Sequence, residues 1–236
     1  TTAGFFKNTW KFTPSVNYGN KMNFQQIRKS YDAIENNSRI DTIKQFGMSH
    51  TLSFTAQLTT AIYSYYKFVG KKQPLLRHVL TPSFSFQYVP GLNKSITDSV
   101  GVNMAPVTYS PFERSVYSSG TSKDQALINF SFNNTFEFKR KSDKDTITGF
   151  KKTRIIDALT FSGNYDLLKD SMNLSDIRAN LRITPAKWLS FVASTNFSPY
   201  DWIDSTGAVL GTYATKTRGK LGRYTSTSLS TGITLT

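Results

Sequence analysis

Ala126-Leu127-Ile128-Asn129-Phe130-Ser131-Phe132-Asn133-Asn134-Thr135-Phe136-Glu137-Phe138-Lys139 is the stretch on which the fold turns. Ala126, Ile128, Phe130, Phe132, Phe136 and Phe138 alternate with Asn129, Ser131, Asn133, Thr135, Glu137 and Lys139. In an extended chain successive side chains point to opposite faces, so this pattern places one apolar and one polar face on a single strand. A helical period would scatter the phenylalanines around an axis.

Seven other stretches repeat the pattern: Trp10–Tyr18, Thr51–Ile62, His78–Tyr88, Leu159–Tyr165, Ile177–Thr184, Leu189–Phe197 and Ser226–Leu235. A weaker one near Asn20–Arg28 brings the expected count to nine strands. They run about 9–15 residues, whereas globular strands average about 5–6 and a tilted bilayer-crossing strand needs about 9–11. The connections alternate in length. Short ones are expected near Gly19–Asn20, Val69–Pro74, Lys141–Lys151 and Pro185–Lys187, and long ones at Lys29–Lys44, Pro90–Asp124, Leu167–Asp176 and Ser198–Lys220. Outer-membrane barrels have this asymmetry of brief turns and longer outside loops.

The fold class is therefore read as all-β, an antiparallel transmembrane β-barrel. Nine is an odd count, and an open sheet would expose unpaired edges to lipid. Residues 1–236 are accordingly read as part of a single barrel domain, an incomplete segment of a larger barrel with flanking strands elsewhere. The opening Thr1-Thr2-Ala3-Gly4 has no initiator Met and no signal-peptide pattern, which also reads as a mature or excised segment. A soluble β-sandwich is the alternative, with shorter strands and an internal aromatic face. Pro14 and Pro82 sit mid-strand in matching contexts, where a missing donor marks an edge, a bulge or a break in pairing.

Composition supports the two-faced sheet. The 236 residues are 38% hydrophobic, 14% aromatic and only 19% charged. The absence of cysteine removes disulfide scaffolds and thiolate chemistry, and His50 and His78 are too few for a multi-histidine metal centre. No catalytic constellation, phosphate-cradling glycine loop or metal-ligand spacing is present, so neither cofactor nor metal is expected. Asp143, Asp145, Asp166, Asp170, Asp201 and Asp204 read as solvated turn formers, and Glu137 as half of an ion pair on the polar face.

The formal net charge of +14 points to an anionic partner. Basic clusters lie at Lys71, Lys72 and Arg77, at Lys139–Lys144, at Lys151–Arg154, and at Lys216, Arg218, Lys220 and Arg223. Parity places Lys11, Lys139, Arg178 and Arg182 on the polar, lumen-side face as candidate phosphate contacts, since Arg grips phosphate bidentately. The opposite, lipid-facing band holds Phe54, Phe84, Phe86, Phe130, Phe132, Phe161, Leu181 and Phe191. Trp10, Tyr18, Tyr63, Tyr65 and Tyr66 are read as interfacial aromatics. Nucleic acid is not expected as a partner, because the aromatics are segregated from the polar face instead of standing beside its cations.

Several phrases resemble the lipopolysaccharide-assembly family LptD in its divergent form. They are Arg77-His78-Val79-Leu80-Thr81-Pro82-Ser83-Phe84-Ser85-Phe86, Tyr109-Ser110-Pro111-Phe112-Glu113, Asp145-Thr146-Ile147-Thr148-Gly149-Phe150-Lys151-Lys152, Ile156–Ser162 through Asp170–Asn173, and Gly219–Thr225. In order and spacing the likeness runs from about Phe12 to the end. The resemblance implies a barrel of about 26 strands in the bacterial outer membrane, with a periplasmic β-jellyroll that this chain lacks. It implies a non-enzymatic translocon that takes lipopolysaccharide from periplasmic bridge proteins, passes it through a lumen holding an LptE-type plug lipoprotein, and releases it by a lateral gate among outer-membrane lipid. Some members form disulfides, for which this chain has no cysteine. Other outer-membrane transport barrels (a porin, a nutrient receptor, a protein-secretion channel) share every feature except the ordered phrases.

Overall fold

The computed structural model describes residues 3–5, 9–68, 75–116, 122–141 and 150–234. Lys71, Lys72, Asp143, Lys144, Asp145 and most of the Asp145–Lys152 phrase lie outside the described residues. In chain order the strands are β1 (Ala3–Phe5), β2 (Trp10–Asn23), β3 (Gln26–Asp32), β4 (Asn37–Ile43), β5 (Gly47–Thr60), β6 (Ile62–Lys67), β7 (Leu75–Val89), β8 (Ile96–Ser99), β9 (Pro106–Tyr109), β10 (Gln125–Lys141), β11 (Phe150–Asp166), β12 (Ile177–Ala186), β13 (Leu189–Ser198), β14 (Tyr200–Trp202), β15 (Val209–Tyr213) and β16 (Arg223–Ile233). A 3₁₀ turn (Val102–Met104) and one turn of helix (Ala214–Thr217) complete the described elements. No helix among them is long and apolar enough to cross a membrane, which leaves strands untouched as a means of crossing.

A 10-stranded antiparallel sheet takes the order β1-β2-β5-β7-β10-β11-β12-β13-β16, with β6 pairing β7. Each strand of this sheet lies beside the next strand of the same sheet in chain order, as in an up-and-down antiparallel arrangement. The chain divides into two compact units. One comprises Thr1–Thr13, Ala56–Phe86 and Leu127–Thr236, and the other Pro14–Thr55 and Gln87–Ala126.

The expected nine strands need correction. Asn20–Asn23 carries β2 onward, while Gln26–Asp32 turns away to pair β4 in a separate two-stranded sheet, so no ninth strand stands near Asn20–Arg28. Gly19–Asn20 is no turn either. Thr51 Oγ1 donates to Gly19 O at 3.3 Å and lies 2.6 Å from where a Cβ on Gly19 would stand. This glycine marks a close approach within a strand. The sheet consists of eight long passes, with β5 and β6 forming one pass broken at Ala61, plus the short β1. Counted as passes the sheet thus still reaches nine, with the short β1 in place of the stretch near Asn20–Arg28.

The length alternation survives the correction. Lys187-Trp188 is a two-residue turn between β12 and β13, and 68–74 and 142–149 are the other short links between long strands. Three of the long connections, 24–46, 90–124 and 199–222, carry their own hairpins: β3–β4, β8–β9 and β14–β15.

Register confirms the two faces. Phe132 lies opposite Phe161, Leu159 opposite Leu181, and Ile183 opposite Phe191, whereas Asn133 lies opposite Thr160 and Asn180 opposite Ser194. Phe54, Phe84, Phe86, Phe161 and Phe191 are exposed to between 36% and 44%, and Phe84 and Phe132 meet edge to face at 5.6 Å. An apolar face this open has no protein layer over it among the described residues.

Candidate functional site

The polar face is built as rungs that run across strands. Directly opposed residues share a face. Ser131, Ser162, Arg178, Asn196 and Ser226 follow one another from β10 to β16, and one step along Asn133, Thr160, Asn180, Ser194 and Ser228 do the same. Side chains bond along the rungs. Thr160 Oγ1 donates to Asn133 Oδ1 at 3.0 Å, Ser194 Oγ to Asn180 Oδ1 at 2.6 Å, and Asn196 Nδ2 to Ser226 Oγ at 2.8 Å. Between β7 and β10 the pattern continues with Asn129 Nδ2 donating to Ser85 Oγ at 3.3 Å. Hydroxyls and amides held in this way offer both donors and acceptors to a polyhydroxylated ligand.

Arg178 donates from Nε to Asn196 Oδ1 at 3.1 Å, which aims the guanidinium along the rung. It borders an open polar cavity of about 370 Å³ with Ser162, Asn164, Ser175, Asp176 and Asn196. Arg182 is exposed, opposite Ala158 on one side and Val192 on the other. The two arginines stand four residues apart on β12, about 13 Å along the strand. Lys11 sits apart from them, in a cavity of about 510 Å³ lined by Thr9, Thr59, Thr60, Ala61, Tyr63 and Thr81. Lys139 is remote again, at the far end of β10 and directly opposite Lys152, with Glu137 opposite Arg154 two residues earlier. The four candidate cations therefore share a polar face without forming one cluster.

Two of the five expected interfacial aromatics belong elsewhere. Tyr63 and Tyr65 lie opposite Val79 and Arg77, on the face of Thr81 and Ser83, and the Arg77 guanidinium stands 5.3 Å over the Tyr63 ring. Tyr66 keeps the apolar side. His50 accepts or donates at Nδ1 to Tyr18 Oη at 2.9 Å, and His78 stacks on Phe136 at 4.4 Å and bonds Asn134 Oδ1 at 2.9 Å. No group of His, Asp and Glu suited to a metal ion is assembled among the described residues.

Charge separates the two ends of the strands. The long connections 24–46, 90–124, 167–176 and 199–222 hold 11 Lys/Arg and 10 Asp/Glu, which leaves 18 and 5 for the strands and short links. Segments 6–11, 67–77, 137–154 and 187–188 alone hold 14 Lys/Arg against 3 acidic residues. The net positive charge is thus a property of the short-turn end, a signal that counting charges per connection would have found in the sequence.

The long connections are held by side-chain clasps that the sequence reading missed. In the unit containing 90–124, Tyr109 Oη accepts from Lys29 N at 3.1 Å and donates to Asp98 at 3.0 Å, and Lys29 Nζ meets Glu113 at 3.0 Å. Ile27 N donates to Pro111 O at 2.8 Å, and a Cβ on Gly47 would stand 2.8 Å from the Phe112 ring. The Tyr109–Glu113 phrase is therefore a structural latch, buried at Tyr109, Pro111 and Phe112. In 199–222, Arg218 donates to Asp201, to both oxygens of Asp204 at 2.9 and 3.0 Å and to Trp202 O at 2.6 Å, while lying 4.4 Å over the Trp202 ring. Asp201 is buried, not a solvated turn former. The Thr217 hydroxyl, the Trp202 N–H and the Arg218 guanidinium hold its carboxyl below the usual range. Burial pushes the neighbouring Tyr200 up to about 12.

These features define an all-β protein built on one long-stranded antiparallel sheet with a polar and an apolar face. A family model described as LptD protein matches residues 1–200, and the chain belongs to that family. The family is an outer-membrane transport family concerned with lipopolysaccharide and is not a family of enzymes. No curated protein and no solved structure matches the chain.

Proposed function

We propose that this chain forms part of an outer-membrane translocon that carries lipopolysaccharide along a polar lumen and inserts it into the outer leaflet through a lateral gate. The observation that carries the reading is the continuous polar face, whose hydrogen-bonded rungs run beside Arg178 on a sheet with an open apolar reverse. A sugar headgroup is desolvated at little net cost on such a face, because hydroxyl and amide partners replace the water it sheds. Arg178, Arg182, Lys11 and Lys139 hold its phosphates in passing, spread along the path as a moving ligand requires. The apolar band from Phe54 to Phe191 lies in acyl chains. The chain is one segment of a larger barrel, since both edges of its sheet need partners inside a membrane. An LptE-type plug and periplasmic bridge proteins are the partners this role calls for, and no bond is made or broken here.

A photo-crosslinking residue at position 182 of the full-length protein tests this, with position 181 as control, since Arg182 and Leu181 are on opposite faces of β12. Irradiation in living cells is expected to give lipopolysaccharide adducts at 182 and not at 181. Adducts at 181 alone reverse the face assignment. Adducts at neither, while a control on the transport path forms them, overturn the reading in favour of another transport barrel.

A further inference from the structure

At three of the short-turn hairpins an aromatic residue stands beside a cation at or near a strand end. Phe68 follows Lys67 and stacks on Phe138 at 5.8 Å, so β6–β7 and β10–β11 share an aromatic pair at this end. Arg140 follows two residues after Phe138, on the same face and exposed. In the third hairpin the two-residue turn is Lys187-Trp188, with Trp188 55% exposed and its carbonyl fixed by Thr234 N at 2.9 Å. Phe68 is 47% exposed. These rings stand where the apolar face stops, and the cations stand next to them or just beyond. Acidic residues at this end are few, with 3 against 14 Lys/Arg in the segments named above.

Solvated turns need cations but not exposed rings. An acidic protein partner needs cations and has no use for rings confined to the border of the apolar face. A bilayer interface uses both: amphipathic or flat rings settle at headgroup level, and each Lys or Arg near an anionic leaflet adds attraction.

We propose that the short-turn end binds the headgroup phosphates of anionic glycerophospholipids, with Phe68, Phe138 and Trp188 at the acyl–headgroup boundary and Lys67, Arg140 and Lys187 on the phosphates. The inference rests on the reading that the sheet spans a membrane. It gives the barrel a fixed depth and orientation, because the nearly neutral long connections lack this attraction.

The test uses the full-length protein in nanodiscs of phosphatidylcholine mixed with phosphatidylglycerol, extracted gently, with the retained lipid identified by mass spectrometry. Phosphatidylglycerol is expected to be enriched. The K67Q/R140Q/K187Q protein should lose the enrichment, each neutralisation weakening it by up to about fivefold at low salt. K216Q/K220Q, which removes charge from a long connection, should leave it unchanged. The single variant K187Q, confined to a turn, keeps the test alive if the triple variant does not fold. Absence of enrichment overturns the inference, and binding of an acidic protein in its place would be consistent with that result. Equal loss in the long-connection variant overturns it as well, by tracing the effect to total charge. Displacement of the lipid by soluble glycerol phosphate would reveal a free-phosphate site and overturn the lipid assignment. Failure to enter nanodiscs at all overturns the membrane reading and this inference with it, whereas insertion without lipid preference overturns this inference alone.

Discussion

The two ends of the strands are built on opposite principles. At the long-connection end, charge is nearly balanced and each cation that matters is spoken for: Arg218 by Asp201 and Asp204, Lys29 by Glu113. At the short-turn end Lys139 faces Lys152 directly in register. Like charges placed opposite one another in a sheet are destabilising. One end uses its charges to hold its own backbone, and the other sets two like charges opposite one another. Substitutions at the first should disturb local structure, and at the second salt-dependent association.

The sharpest way to break this contrast is at Gly222. Its φ of +143° and a Cβ position 2.0 Å from Ser198 O leave no room for a side chain. Gly222→Ala should cost about 3 kcal/mol or more and detach the start of β16 from β13, seen as lost hydrogen-exchange protection at Tyr224–Ser226. If that protection survives, the close approach does not hold the connection.

Arg218→Ala should release the β14–β15 hairpin, with rapid protease cleavage inside 199–222 and no change in the rungs of β12 and β13. Arg218→Lys should rescue little, because a single ammonium cannot reproduce the forked contacts to two carboxylates. The same clasp should respond to acid. The folded carboxyl of Asp201 lies below its ordinary value, so its contribution is present above about pH 4 and fades as pH falls through the depressed value. Protease resistance of 199–222 that is unchanged at still lower pH would remove Asp201 from the clasp.

Tyr109→Phe is a smaller perturbation. It deletes the hydroxyl between Lys29 N and Asp98, with an expected cost of about 1–2 kcal/mol, read as earlier cleavage within 90–124. Smallest of all, Lys152→Gln should stabilise the β10–β11 hairpin by about 0.5 kcal/mol, because one of two opposed charges is gone. Destabilisation there would mean that the pair is already held by an anion or an acidic neighbour, and the contrast between the ends would weaken.

Much of the sheet was legible because its signal is local and periodic. Phe130, Phe132 and Phe161 announce their face by alternation alone, and register then placed them as neighbours. Arg178 and Arg182 were assigned to the polar side by the same parity. Gly19 misled, since a glycine in a strand and a glycine in a turn look alike in sequence, and only the nearness of Thr51 tells them apart. Tyr63 and Tyr65 misled because their chemistry suits an interface while their register turns them to the polar face.

The sequence by itself determined the all-β class, the two faces, the length alternation of the connections and, through its ordered phrases, the family. These follow from periodicity and spacing, which an extended chain turns directly into geometry. Only the tertiary structure decided the eight long passes, the rungs across β10 to β16 and the roles of Tyr109, Asp201 and Arg218. Those depend on which strand lies beside which and on contacts such as Arg218 with Asp201, 17 residues apart, that no local pattern encodes. Alternation fixes where a side chain points, whereas pairing decides what it meets.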